Sequence, residues 1–228
     1  MLEKVTIDKL VHGGQGLGVL ADGKKVFVWN ALPGETVNVR LLKSKRSYAE
    51  GIAEEVIEAS PMRVSPQEPN YLSTSPWQIL EFSEENNYKK EITRELFQQA
   101  GIKLPEFQVT YGPGRAAGDL GLAQAPRDEK PGTGVSWYYR NKMEYSFWGD
   151  DDGLHLALHH RGSHAKQIVT GSKLALPAID AAANAVLKEL NALQVRAGDL
   201  KSIIVRATQE GGAAVSLFVK PTKFAQFK

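Results

Sequence analysis

Four glycine-bearing interruptions cut the first sixty residues into short runs: Gly13-Gly14, Asp22-Gly23, Pro33-Gly34 and Gly51. Between them the side chains alternate. Val26 and Val28 are interleaved with Phe27 and Trp29, and Val37, Val39 and Leu41 with Asn38 and Arg40, which is the period-2 pattern of half-buried strands. Asp22-Gly23, between Leu20 and Lys24, is a two-residue hairpin signal. About five short strands fit in this stretch. A small, closed or nearly closed barrel of the OB type is the economical arrangement, because closure removes the sheet edges that so many short strands would otherwise expose.

Ser60-Pro61 ends this unit, and the segment to Pro76 is rich in Pro, Ser, Asn and Gln, a connection. A helix is predicted next, with Ser83 as N-cap, Glu84 and Glu85 in the first turn and Gly101 after the last. Tyr88, Ile92 and Leu96 form its apolar stripe. Residues 112–134 carry six glycines and three prolines and read as a mobile loop. Alternation returns through Tyr139, Asn141, Met143, Tyr145 and Phe147. After the polar turn Asp150-Asp151-Asp152-Gly153 it continues through Leu154, Leu156 and Leu158, a long hairpin. A second helix begins at Pro177, with Ile179, Ala182, Val186, Leu190 and Leu193 on its apolar face. Strands over 202–207 and 213–219 follow, joined at Gly211-Gly212. The fold class is α+β: an OB-like barrel over residues 1–60, then an α+β domain over 61–228 with helices on an antiparallel sheet.

The 228 residues include no cysteine. That excludes a thiolate nucleophile, disulfides, cysteine-ligated zinc and a cysteine-ligated iron–sulfur cluster, and points to binding rather than covalent chemistry. No apolar run reaches the ~18 residues of a membrane span, and Met1-Leu2-Glu3-Lys4 opens no signal peptide. The expected location is cytoplasmic, with no membrane partner. A net charge of +2 does not by itself indicate nucleic acid; clustering of the cations decides.

Lys43, Lys45 and Arg46 fall within four positions, with Tyr48 just behind. Cations and an aromatic on an OB-like surface suit a nucleic-acid backbone and an unstacked base; a solvated basic loop has the same composition. Arg140-Asn141-Lys142 lies on a predicted strand, which sends Arg140 and Lys142 to one face and Asn141 to the other. Arg161-Gly162-Ser163-His164 follows the paired strand. The two sets converge on phosphate at one end of the sheet, or else form a polar face exposed to water. His155, His159, His160 and His164 do not make a metal site: on a strand His155 and His159 stand about 13 Å apart and His160 points away from His159. His12-Gly13-Gly14-Gln15-Gly16-Leu17-Gly18 lacks the last glycine and the helix of a dinucleotide loop, and reads as a tight β connection.

The ordered set of motifs resembles one family, the RNA uracil 5-methyltransferases that begin with a TRAM domain. The likeness is carried by Leu10-Val11-His12-Gly13-Gly14-Gln15-Gly16, Val26-Phe27-Val28, Leu32-Pro33-Gly34-Glu35, the Lys43–Tyr48 segment, and Ser60-Pro61 with Arg63 and Pro66. Arg140-Asn141-Lys142 and Arg161-Gly162-Ser163-His164 match the family's central-domain signatures. The resemblance implies that barrel and central domain both contact RNA. It also implies a [4Fe–4S] cluster in many members; at the four matching positions this chain has Glu68, Thr74, Trp77 and Ser172, none able to act as a thiolate ligand, so no cluster is expected.

The family's chemistry resides in a Rossmann-like domain that binds S-adenosylmethionine and supplies a cysteine that adds to carbon 6 of uracil and a carboxylate that removes the proton from carbon 5. Beyond Arg206 there are too few residues for a βαβ unit of about 30. The expectation is therefore an RNA-recognition portion, inactive alone, without catalytic residue or metal and with S-adenosylmethionine only on a missing or separate catalytic domain. Its partners are ribosomal or transfer RNA and that domain. Its RNA contacts are Lys43, Lys45, Arg46, Tyr48, Arg140, Asn141, Lys142, Arg161 and His164. The alternative is a protein-interaction adaptor that docks a catalytic subunit or ribosomal protein through Trp77, Trp137 and Trp148.

Overall fold

The computed structural model describes residues 2–106 and 137–220; the loop predicted over 112–134 lies outside them. Packing divides the chain into two compact units, with described residues 2–106 in the first and 137–220 in the second.

In the first unit, β1 (Leu2–Leu10), β2 (Gly16–Val19), β3 (Lys25–Trp29), β4 (Thr36–Ser44) and β5 (Tyr48–Glu58) form a closed barrel in the order β1-β2-β3-β5-β4. Pairing of β1 with β4, Val5 opposite Val37, closes it. Neighbours are antiparallel except β3 and β5, which run parallel with Lys25 opposite Tyr48 and Phe27 opposite Glu50. Alternation turns Val5, Ile7, Val26, Val28, Val37, Val39, Ala49 and Ala53 into one core. Gly18 is required by closeness: a Cβ there would lie 2.5 Å from the Thr6 carbonyl oxygen across the β1–β2 ladder.

The Gly13-Gly14 motif is a turn. Both residues have positive φ, +90° and +87°, and Gly14 donates its N–H to the Val11 carbonyl at 3.0 Å. Gly14 also abuts Trp77, whose Cε2 would stand 3.1 Å from an added Cβ.

Helices α1 (Tyr71–Thr74) and α2 (Phe82–Gln99) follow in this unit, with a 3-10 turn over Pro76–Ile79 between them. Leu10 and Leu32 of the barrel share a core with Ile79, Leu80 and Ile92, so the segment after β5 packs with the barrel. The expected division at residue 60 marks the end of the last barrel strand, whereas the division by packing falls beyond α2. Ser83 is not the N-cap: α2 starts at Phe82, with Glu81 at the boundary and no side-chain cap. The apolar stripe is shorter than predicted. Ile92 is buried and Tyr88 packs beside it, but Leu96 is exposed.

In the second unit, β6 (Lys142–Asp150), β7 (Gly153–His159), β8 (Lys166–Ile168), β9 (Leu200–Ala207) and β10 (Ala213–Val219) form an antiparallel sheet in the order β10-β9-β6-β7-β8. Helix α3 (Pro177–Ala192) covers one face, burying Ile179, Ala183 and Leu190 among Tyr145, Phe147, Leu156, Ile203 and Val205. Leu193, predicted on that apolar face, is the exposed C-cap. Polar anchors fix the helix: the Tyr145 hydroxyl donates to Asp180 Oδ1 at 2.6 Å, and Asn191 Nδ2 donates to the Leu154 carbonyl at 2.9 Å. The described residues thus form an OB-like barrel followed by an α+β arrangement with an antiparallel sheet, as expected.

Candidate nucleic-acid interface

The basic segment of the barrel is the tip of the β4–β5 hairpin. Lys45 donates its backbone N–H to the Tyr48 carbonyl at 2.8 Å, which pinches Lys45, Arg46 and Ser47 into the turn and leaves their side chains in solvent. Lys43 sits opposite Glu50 on the ladder, its ammonium 3.6 Å from that carboxylate. Its charge is partly offset, whereas Lys45 and Arg46 form no ion pair among the described residues. Tyr48 meets Phe27 edge-on, with ring centres 5.8 Å apart.

The neighbouring β3 enlarges this surface. Lys25 is exposed opposite Tyr48. Lys24 points to the hairpin, with Nζ 3.3 Å from Ser44 Oγ and 3.7 Å from Asp22. Sequence reasoning missed Lys24, Lys25 and Phe27. Alternation marked Phe27 as outward, but only the parallel pairing of β3 with β5, partners more than twenty positions apart, brings it to Tyr48.

In the second unit the expected strand begins late. β6 starts at Lys142, and Arg140 instead makes an isolated parallel bridge with Ala175. Its N–H goes to the Leu174 carbonyl at 2.8 Å, its carbonyl receives the Leu176 N–H at 2.9 Å, and its guanidinium lies 5.9 Å from the centre of the Tyr139 ring. The predicted alternation of Arg140, Asn141 and Lys142 therefore does not hold: the backbone before α3, rather than a sheet neighbour, sets the position of Arg140. Asn141 is exposed and its carbonyl receives the Ala207 N–H. Lys142 is exposed directly opposite Arg206.

Arg161 and His164 occupy the turn between β7 and β8, closed by the His160 N–H on the Ala165 carbonyl at 2.9 Å. Antiparallel pairing brings the end of β7 to the same end of the sheet as the start of β6. His164 is exposed. Arg161 is half-buried, and burial lowers its guanidinium pKa from the usual value.

Other residues singled out in the sequence make local contacts. Glu68 and Thr74 are buried and bonded to each other, Thr74 Oγ1 to Glu68 Oε2 at 3.0 Å, with Gln78 Nε2 on the same oxygen at 2.7 Å. Trp77 lies under the Lys89 ammonium at 5.4 Å, and Ser172 gives its N–H to Asp180 in the second unit. This oxygen and indole set does not fit an iron–sulfur cluster. His155 is bonded to Asp150 at 2.8 Å. Among the described residues no three histidine, aspartate or glutamate side chains group as metal ligands, and no helix is long and apolar enough to cross a membrane.

Residues 3–53 match the TRAM domain family. The chain is 27% identical over 232 residues to a protein of Thermotoga maritima named an uncharacterized RNA methyltransferase, a match covering 98% of this chain and 47% of the relative. A second protein so named, from Caldanaerobacter subterraneus subsp. tengcongensis, is 31% identical over 169 residues, 73% of this chain and 33% of its own. A 23S rRNA (uracil(1939)-C(5))-methyltransferase, RlmD, of Halomonas elongata is 38% identical over 104 residues, 45% of this chain and 22% of its own. The chain thus spans half or less of the length of these relatives. Among solved structures, the Pyrococcus abyssi tRNA (uracil-54, C5)-methyltransferase in complex with S-adenosyl-L-homocysteine superposes with a TM-score of 0.55 at 14% identity, over 98% of this chain and 49% of that one. At that identity the likeness is one of fold.

Proposed function

We propose that these residues are the RNA-gripping part of an S-adenosylmethionine-dependent RNA methyltransferase that modifies carbon 5 of uracil in ribosomal or transfer RNA. The observation that carries this reading is the β4–β5 tip: two solvent-exposed cations, Lys45 and Arg46, beside the Tyr48–Phe27 aromatic pair, within the segment similar to TRAM domains. Lys45 and Arg46 capture phosphates, and Tyr48 offers a ring to an unstacked base. In the second unit Lys142, with Arg206 beside it, supplies further phosphate donors, and Arg140, Asn141, Arg161 and His164 border the same sheet end.

The methyl chemistry is assigned to residues beyond these. Addition to carbon 6 of uracil takes a thiolate, and the 228 residues contain none. S-adenosylmethionine supplies the methyl group in such enzymes. The described residues do not fit its site: none of their helices joins two parallel neighbouring strands, the arrangement whose first turn holds such a cofactor. Relatives about twice as long leave room for that machinery. The test is an assay of the purified 228 residues with structured ribosomal and transfer RNA and methyl-labelled S-adenosylmethionine. Salt-sensitive RNA binding without label transfer is expected. Label transfer would overturn the assignment of the chemistry, and failure to bind either RNA at low salt would overturn the grip.

A further inference from the structure

Among the described residues, α3 packs on one face of the sheet of the second unit. The residues of the opposite face follow from register. Across β10 and β9, Phe218 stands opposite Ser202; across β6, β7 and β8, Ser146 stands opposite Ala157 and Ala157 opposite Ile168. Ser146 and Ser202 each lie one residue beyond the Tyr145–Ile203 pair, so these five residues form one row across the sheet. The middle of the row is small and buried (Ser202, Ser146, Ala157), while Phe218 and Ile168 at its two ends are 43% and 45% exposed. Trp148, two positions along β6 from Ser146 and so on the same face, is 45% exposed. Toward the other end of β6, Lys142 and Arg206 stand side by side, with Ala214 next to Arg206 on β10.

We infer that the exposed rings of Trp148 and Phe218 on this face form a stacking platform for unpaired nucleotides of the RNA, an inference that rests on the proposed function. The middle of the row is buried, so the surface offered to planar bases is the exposed rings of Phe218 and Trp148. The Lys142–Arg206 pair lies four residues along β6 from Ser146, roughly 13 Å at about 3.3 Å per residue, where a strand leaving the platform presents its phosphates. The face also carries carboxylates, Glu144 between the two regions and Asp150 beyond Trp148, but Asp150 is held by His155 at 2.8 Å. Lys166 is not part of the phosphate set, because its ammonium donates to the Phe147 carbonyl at 2.8 Å. A protein partner fits less well. Its apolar stripe needs a continuous apolar counterpart, and here serines separate the exposed apolar side chains. Stacking tolerates that separation, since each base needs its own ring and not a patch.

The experiment compares the 228-residue chain with its Trp148→Ala and Phe218→Ala variants, each verified as folded by circular dichroism. The probes are a fluorescent uridine-rich single strand and the same sequence in duplex. Each variant is expected to bind the single strand about tenfold more weakly with duplex affinity unchanged, and an oligonucleotide carrying 5-iodouridine is expected to cross-link to Trp148. Unchanged single-strand affinity in both variants, with wild-type binding intact and lost on Lys45→Ala/Arg46→Ala, overturns the platform alone and leaves the face to a protein partner. Absence of RNA binding by the wild-type chain overturns the platform together with the proposed function.

Discussion

Glu35 and Arg63 form a two-point ion pair at the end of the barrel. Arg63 Nε lies 2.6 Å from Glu35 Oε1 and Nη2 lies 2.7 Å from Oε2, and the carboxylate is fully buried. The same carboxylate receives the backbone N–H groups of Leu32 and Ser60, at 2.8 and 3.1 Å, while Arg63 also reaches the Asn30 carbonyl at 3.1 Å. One acidic side chain thus ties the β3–β4 connection to the segment leaving β5. Arg63→Ala leaves that buried charge with only its backbone donors and is expected to cost about 3 kcal/mol of stability, read as a lower midpoint in urea denaturation. A midpoint within error of wild type would mean that water replaces the guanidinium at no cost.

The Gly13-Gly14 turn separates two costs of a side chain. Both positions have positive φ, but an added Cβ at Gly13 meets open space, whereas at Gly14 it meets Trp77 at 3.1 Å and Pro76 at 3.3 Å. Gly13→Ala is expected to cost about 1 kcal/mol, the conformational term alone, and Gly14→Ala about 2 kcal/mol, since the indole must also shift. Equal losses of melting temperature would show that Trp77 yields freely.

These two cases explain why part of the molecule was legible in its sequence. The barrel strands were, because alternation about Val26, Val28, Val37 and Val39 reports directly which side chains face inward. The motifs Leu32-Pro33-Gly34-Glu35 and Ser60-Pro61 with Arg63 were visible as motifs, but not as the two halves of one buried ion pair, since nothing local encodes a contact across twenty-eight positions. For the same reason Phe27 was visible as an outward residue but not as the partner of Tyr48. Arg140 was misread because its bridge partner, Ala175, lies in the irregular segment before α3, where side-chain period carries no information. That Phe218 and Trp148 share one sheet face was hidden until register aligned the separate strands.

The turn between β6 and β7 carries a pH-sensitive contact. Hydrogen bonding from His155, first, and from the backbone N–H groups of Asp152 and Gly153 holds the Asp150 carboxyl below its usual value of 3.8. A lowered folded-state pKa means that the contact contributes fully above the unfolded value and is lost as pH falls through the lowered one. His155→Ala is expected to move the Asp150 titration back up toward 3.8, followed by NMR of the carboxyl carbon. An unmoved titration in that variant would assign the shift to the backbone donors instead.

At the β4–β5 tip, the three cations carry different loads. Lys43 is shared with Glu50, while Lys45 and Arg46 stand in solvent, so the last two should contact phosphate with their full charge. For a single strand, each phosphate contact contributes about 0.7 to the slope of log affinity against log salt. Lys45→Ala and Arg46→Ala are each expected to reduce that slope by about 0.7, and Lys43→Ala by less, because its charge is already partly offset by Glu50 and displaces fewer counterions. Tyr48→Ala should weaken binding about tenfold without changing the slope, since stacking releases no counterions. Fluorescence anisotropy over a salt series separates the two behaviours. A Tyr48 variant whose slope is shallower than that of wild type, so that its loss shrinks as salt rises, would mean that the ring acts only by holding the cationic turn in shape against Phe27.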